Sequence, residues 1–599
     1  MKTNISPRLE CSGYALLIVL VMSAVSILIL AGTLNRTRTS TYLNDRNNEY
    51  VANLNAAEAA VEKVAARVKF DFESTGLPQV AANLDIYRSY VPTTGENPYW
   101  ANYQFTDGQG NNNKTYFNLL SNYSGSLPSQ YPGLFTANSP IYRVVSNVKS
   151  VSGTGSIGAV QEDFLLALVP ITQYAIFYHG LLEFSTCATM TVNGRTHANG
   201  NIYTGSSASL IFNGTVTTTT TISSPANGGQ GPGWGDTGTY NGSPGSRTNV
   251  PTVSLSVGNT NVHALIDVPP AGETVGSVSG SRRLYNQAQV VLLISNTVVT
   301  ARIQAAVVGA MPGADATPII LRCTNTPTAL ATNFPWLTTS NTFTDQRESK
   351  TVLTTQIDLG AYNQWLRTNA SVLIKFPLLS GTYPTILFAA DNRTNASSSV
   401  MTAIRITNGI APPYNGGLGF SLATPNPLYV WGNYNCTNSA HLATTNTSST
   451  VPSALMSDAI TILSSSWKDS MSSGSASSRT ATSADTVNAA ILSGSMPSTG
   501  TSSSTYSGGV HNLPRLLENW GSSTLWLNTS LINLYDSQRA TSQFQFPGPY
   551  YQPPTRKFSY DSNFMDPAKQ PPGIPTCLVF IRNSYAIPPP NNVAYNVVP

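Results

Sequence analysis

The chain has 599 residues of which 41% are hydrophobic, enough for about three or four domains with sizeable cores. Only 10% of residues are charged, against about 25% in ordinary soluble domains, and the net charge of +4 comes with no extended basic cluster, so a nucleic-acid footprint is missing. Asn, Ser, Thr and Gly take the place of charges on the surface, a texture that fits an extracytoplasmic, β-rich protein.

Residues 1–13 form a short polar leader, and residues 14–34 carry no charge at all. As a helix this run measures about 30 Å, the thickness of a bilayer's hydrocarbon core. It is longer than the apolar core of about 7 to 15 residues in a removable secretory signal. Cys11 precedes the run, which excludes a lipoprotein arrangement. Lys2 and Arg8 before the span and Arg36 and Arg38 after it nearly balance, so orientation rests on the short leader, which leaves the bulk of the chain outside. Beyond the span, Leu43, Tyr50, Leu54, Ala57, Val61, Val64 and Val68 fall on one helical face, and no proline or glycine interrupts residues 35–70. A continuous helix over residues 14–70 would be about 85 Å long. Part of it would be lipid-embedded and part a stripe for packing on a globular head or on neighbouring copies. A signal anchor followed by a coiled coil is the plainer alternative.

Gly13 followed by Tyr14 and the aliphatic run resembles the processing site of type IV prepilins, where a dedicated peptidase cuts after the glycine. Asn55-Ala56-Ala57-Glu58-Ala59-Ala60-Val61 resembles the AEAA signature of PilX-type minor pilins. The resemblance implies loss of the leader and a pilin-like helix over 14–72 that carries Ile18, Leu54, Glu58 and Val61 and packs among other pilins or pseudopilins. The implied partners are the prepilin peptidase and the inner-membrane assembly platform. The implied location is single-pass in the inner membrane before assembly, then in the extracytoplasmic envelope or pilus. One departure is Ile18, which occupies the fifth mature position where major pilins carry a glutamate. A mid-bilayer charge costs about 3 kcal/mol unless paired, so a subunit with no neighbour to pair it gains from its loss, as in the minor pseudopilin at the tip of type II secretion systems. A minor, tip-proximal or initiating position follows, and a membrane-anchored adhesin that does not polymerise fits the same departure.

Residues 73–172 read as a small α+β unit, with strands over 98–105 and 142–151 and a turn-rich loop over 107–113 that lacks the glutamate closing an EF-hand. The apolar run 164–178, broken by Pro170, suggests a buried strand pair leading into a large β-rich head over 173–599. Short segments around Asn193-Gly194, Asn199-Gly200 and Asn213-Gly214 suit type I′ hairpins or stacked rungs of a parallel β-helix, and no fixed period decides between them. Residues 223–252 read as a surface loop. Strands follow at 289–306, 318–322, 372–376, 385–389, 401–406 and 428–431, with a helix over 358–369 that sets Leu359, Tyr362, Trp365 and Leu366 on one face. The Ser/Thr-rich tract 444–509 holds apolar islands at 458–463 and 486–492, which reads as ordered strands decorated by polar loops. Segments 423–435, 457–467, 487–494, 508–520 and 560–575 are similar to those of large pilus-associated envelope proteins. The fold class is therefore α+β: a long N-terminal helix, then a large β-rich head.

Chemistry is sparsely signalled. His179, His197, His263, His441 and His511 are isolated, with no metal-ligand spacing, and His197 reads as a turn or rung-stacking residue. Neither a Gly-x-Ser-x-Gly elbow nor a diagnostic carboxylate pair occurs, although Glu162-Asp163 and Asp561 with Asp566 are the candidates if a β-helix were to cleave polysaccharide. No catalytic residue, metal or cofactor is assigned. The rings Phe544, Phe546, Tyr550, Tyr551, Phe558 and Tyr560 suit stacking on sugars or strapping the end of the head, so a surface or carbohydrate ligand is expected for the head. Cys187, Cys323, Cys436 and Cys577 lie far apart, which suits free buried thiols as well as any of the three disulfide connectivities.

Overall fold

The computed structural model describes residues 14–128, 131, 133–184, 189–205, 209–223, 238–255, 257, 261–304, 317–377, 383–394, 397–414, 418–499, 505–544, 550–592 and 595. Gly13 with the rest of the leader, Cys187, Phe546 and much of the 223–252 stretch lie outside the described residues. The first element, α1, spans Tyr14–Thr75 without a break. It stops at Gly76, whose φ of 85° suits the residue after a helix, with its N–H bonded to the Phe72 carbonyl at 2.8 Å. Two short helices, α2 (Leu77–Ala82) and α3 (Leu84–Arg88), then fold back along it.

An antiparallel sheet packs on the second half of α1. Its strands are β1 (Tyr103–Thr106), β2 (Tyr116–Ser126), β3 (Phe135–Ser150) and β4 (Ile157–Pro170). Ala57, Ala60, Val61, Val64, Val68 and Phe72 of α1 are buried against Phe117, Val144, Val148, Val160 and Phe164 of the sheet. The C-terminal strand Thr576–Ala586 pairs antiparallel with β4, and Ser254–Leu255 pairs beyond it. The expected partition into a unit ending at 172 and a head running to 599 therefore needs correction. The large β-rich region is inserted between β4 and the C-terminal strand, and the chain returns to close the small sheet.

The inserted region is dominated by parallel ladders. In the longest sheet β5 (Tyr174–Tyr178) pairs with Arg195–Ala198, which pairs with Val216–Thr218, which pairs with Ser246–Arg247. The chain then crosses toward the other end of the same sheet at Val290–Ile294, beyond which Val298–Ile303 and Ile319–Thr324 pair antiparallel at the edge, and steps back through Ile386–Asp391, Phe420–Thr424, Ser453–Ser457 and Ala490–Ser493 to Leu531–Asn533, which pairs with the free side of β5. A second ladder joins Lys350–Asp358, Val400–Thr407, Leu428–Trp431, Ile460–Leu463 and Pro514–Leu516. A third joins Asp485–Asn488, Thr524–Thr529 and Thr555–Tyr560. Their inward side chains form one large apolar core.

Several local expectations change. The Asn-Gly pairs do not turn type I′ hairpins: Met190–Val192, Arg195–Ala198 and Ile202–Tyr203 each belong to a different parallel ladder. The pairs stack instead. Asn213 Nδ2 donates to Asn193 Oδ1 at 2.8 Å and Asn241 Nδ2 to Asn213 Oδ1 at 3.0 Å, while a Cβ on Gly214 would stand 2.2 Å from the Gly194 carbonyl oxygen. Only glycine lets successive corners approach so closely. Residues 238–247, read as loop, contribute the strands Gly238–Tyr240 and Ser246–Arg247. Of the expected strand 372–376, residues 372–375 are helical, within Ala370–Lys375, and Phe376 caps the helix, because the Asn369 side chain accepts from the Ser371 and Val372 N–H groups at 3.0 and 3.2 Å and starts a helix there. The run 164–178 divides between β4 and β5, which lie in different sheets rather than pairing together. The helix Leu359–Thr368 and the strands Ile460–Leu463, Asp485–Asn488 and Ala490–Ser493 lie where the sequence suggests, and Ser453–Ser457 is a further strand ahead of the first apolar island.

Candidate functional site

From Tyr14 to Asn48 every residue of α1 is exposed, with Tyr14 at 74% and Ile18 at 56%, so about 50 Å of helix projects from the protein. Its first turns have the length and composition of a membrane-crossing helix or of a signal sequence. A short polar collar, residues 35–48, separates this segment from the mount.

The mount begins at Glu49, whose carboxylate accepts from Thr154 N at 2.7 Å in the turn between β3 and β4. One helical turn later the buried Asn53 donates through Nδ2 to the Ser156 carbonyl at 2.8 Å and accepts from Ser150 Oγ at 3.0 Å. Gly158 lies directly beneath, against the Asn53–Leu54 backbone. Farther along, Arg582 on the C-terminal strand holds both oxygens of Glu62 on α1, one at 2.6 Å, and lies 3.3 Å from Glu162 on β4. One guanidinium thus ties helix, central strand and closing strand together. Burial pushes the Glu162 carboxyl up to about 7; Arg582 opposes the rise, while the charges on Glu62, Glu58 and Asp163 add to it. Beside it Asp163 receives a bidentate, buried bond from Arg143, at 2.7 and 2.9 Å. At the far end of the helix, buried Asp71 accepts from Asn83 and Tyr87, each at 2.8 Å, and locks α2 and α3 in place.

The residues picked from the sequence divide between these two parts. Tyr14 and Ile18 lie on the projecting segment, while Leu54 and Val61 pack against the molecule's own sheet, Val61 at 1% exposure. Glu58 is exposed on the flank of the helix. Leu43, read as part of the packing stripe, is exposed because the helix first meets the rest of the molecule only at Glu49 and Asn53. Gly13 lies outside the described residues. Sequence reasoning missed Asn53, Gly158 and Arg582. A polar Asn53 amid the apolar stripe is the one mark that could have drawn attention to the mount.

Elsewhere the candidate groups are engaged structurally. The ring of His197 stacks on Phe177 with centroids 5.4 Å apart and bonds Thr217 and Asn199; burial lowers it to about 4, so it stays neutral. The Asp107 carboxylate binds the Gln109 and Asn111 N–H groups of its own loop. Among the described residues no three His, Cys, Asp or Glu side chains converge as a metal site. Phe544, Tyr550 and Tyr551 are buried against one another and strap the head. Cys323, Cys436 and Cys577 are free thiols. Comparison with known proteins finds no matching family model, no matching curated protein and no matching solved structure.

Proposed function

We propose that this chain is a non-enzymatic minor pilin-like or pseudopilin-like subunit, a tip or initiation component of a type IV pilus or type II secretion-like filament. The observation that carries the reading is the single unbroken helix, bare and apolar over its first turns and then fastened by Asn53 and Arg582 to an antiparallel sheet. Such a rod gains by burying its exposed side chains in lipid first and among similar rods later. Ile18 leaves the helix with no mid-bilayer charge to pair, which suits a position with a free end. The 1–13 leader would be removed by the prepilin peptidase, and the inner-membrane platform would extract the mature helix. Stacked parallel ladders in the inserted region support a β-helical head, carried outside the membrane and used for adhesion or binding. The test is co-purification with pilins from cells that have the peptidase and from cells that lack it. Peptidase-dependent recovery with pilins is the expected result, and membrane retention alone in both strains would leave a non-polymerising adhesin.

A further inference from the structure

The ladder that ends at Thr555–Tyr560 and the ladder that begins at Met190–Val192 lie side by side but belong to separate sheets. In the longest sheet the matching junction is closed, because Leu531–Asn533 pairs with β5. Here it stays open, and a cavity of about 250 Å³ occupies the gap. Its volume lies just below the range of about 300–1,000 Å³ typical of ligand sites, which suits one small unit. Met190, Val510, Pro514, Leu527, Leu531 and Phe558 give it apolar walls, and Thr189 and Thr191 add hydroxyls.

The charge along the cavity has one sign. Half-buried Arg556, exposed Lys557 and half-buried His511 line it, and among the described residues no Asp or Glu does. Arg556 Nη2 donates to Tyr551 Oη at 3.3 Å, and that hydroxyl donates to Asn512 Oδ1 at 2.8 Å, so the guanidinium is oriented in advance. Among the described residues Arg556 Nε and Nη1 and both ring nitrogens of His511 have no hydrogen-bond partner, and none of the four is sealed from water. They can therefore be reached by a ligand. Burial and the Arg556 charge lower His511, so at neutral pH the ring offers a single uncharged N–H donor. Cations beside apolar walls, with no carboxylate to answer them, concentrate a positive field in the gap.

We propose that this cavity binds one acidic sugar unit, with its carboxylate or phosphate group on Arg556, Lys557 at the rim, and the sugar body against Phe558 and Leu527. A guanidinium fits the paired oxygens of either anion. A bare anion makes no use of the apolar walls, and a neutral sugar makes none of the two cations. The proposal rests on the reading of the head as a binding module and does not require filament assembly.

The test is calorimetric titration of the detergent-solubilised full chain at low salt with trigalacturonate and with glucose 1-phosphate, beside inorganic phosphate and neutral maltotriose. At least one of the two sugar anions should bind, more weakly as salt is added, about tenfold or more weakly in Arg556→Gln, and unchanged in Lys114→Gln in the small antiparallel unit. If Arg556→Gln does not fold, Lys557→Gln at the exposed rim decides, with weaker binding expected. The proposal is overturned if neither sugar anion binds, if inorganic phosphate or maltotriose binds as tightly as they do, or if folded Arg556→Gln, or Lys557→Gln where that variant decides, binds as the wild type does. Binding of a sugar anion without pilin association would count against the filament reading alone, and the opposite pattern against this site alone.

Discussion

Gly158 of β4 lies so close beneath α1 that an added Cβ would stand 2.6 Å from the Leu54 nitrogen and 2.7 Å from the Asn53 carbonyl carbon. Both are backbone atoms and cannot rotate aside, so in Gly158→Ala the helix must lift by about 1 Å to regain ordinary contact. The 2.8 Å bond from Asn53 to the Ser156 carbonyl then stretches out of range. Overpacking costs about 1–3 kcal/mol and a lost hydrogen bond about 1 kcal/mol, so the mount should weaken by about 2–4 kcal/mol. The backbone at 158 is outside the left-handed region, so alanine adds no conformational strain to cloud the result. Amide hydrogen exchange on the full chain reads the effect: peptides covering 53–68 should exchange about 30- to 1,000-fold faster, with 14–48 unaltered. Unchanged protection of 53–68 would show that the helix is not seated on Gly158.

The remaining predictions concern buried charge and thiols. Because the folded-state pKa of Glu162 is raised to about 7, its contribution to stability is full below its ordinary value of 4.5 and is lost as pH rises through about 7. Thermal unfolding of the helix–sheet unit should therefore come earlier at about pH 8 than at about pH 5, and Glu162→Gln should flatten that slope. Asp458→Ala should destabilise the head by about 3–5 kcal/mol in denaturant titrations, since it orphans the Gln538, Arg539 and Ala540 N–H groups and His263 Nε2. Burial opposes charge on His263, but Asp267 and Asp458 outweigh it and raise the ring to about 9. That contribution is full below 6.5 and is lost as pH rises through about 9, so NMR titration should find His263 shifted back toward 6.5 in the Asp458→Ala variant. Among the three described thiols, iodoacetamide should label half-buried Cys323 first, because burial pushes Cys436 up to about 12 and raises Cys577 further.

Helical periodicity made α1 legible, since a stripe at steps of three and four with no proline or glycine leaves little alternative. The apolar islands of the Ser/Thr tract were legible too, because Ile460, Ile462, Ile491 and Leu492 have to be buried somewhere. Repetition was harder to see. Ile176, Thr196 and Val216 are successive partners at even spacing, but the steps from Ile386 to Ser421, Ala454 and Ala490 differ in length, and so the period is blurred. The Asn-Gly corners misled because the dipeptide that suits a hairpin also suits a stacked corner, and only the neighbour above Gly194 or Gly214 distinguishes them. The return of the C-terminal strand to β4, and with it the bridge from Arg582 to Glu62, joins residues some five hundred positions apart, which local pattern cannot reveal. The cavity beside Arg556 was hidden for the same reason: Thr191 and Phe558 come from opposite ends of the inserted region.

The N-terminus of the protein recovered from membranes of cells that possess a prepilin peptidase tests the central claim most directly. Intact-mass and N-terminal sequence analysis should find Tyr14 as the first residue, with residues 1–13 retained when the peptidase is deleted. A polypeptide that still begins at Met1 in the presence of the peptidase would contradict the account.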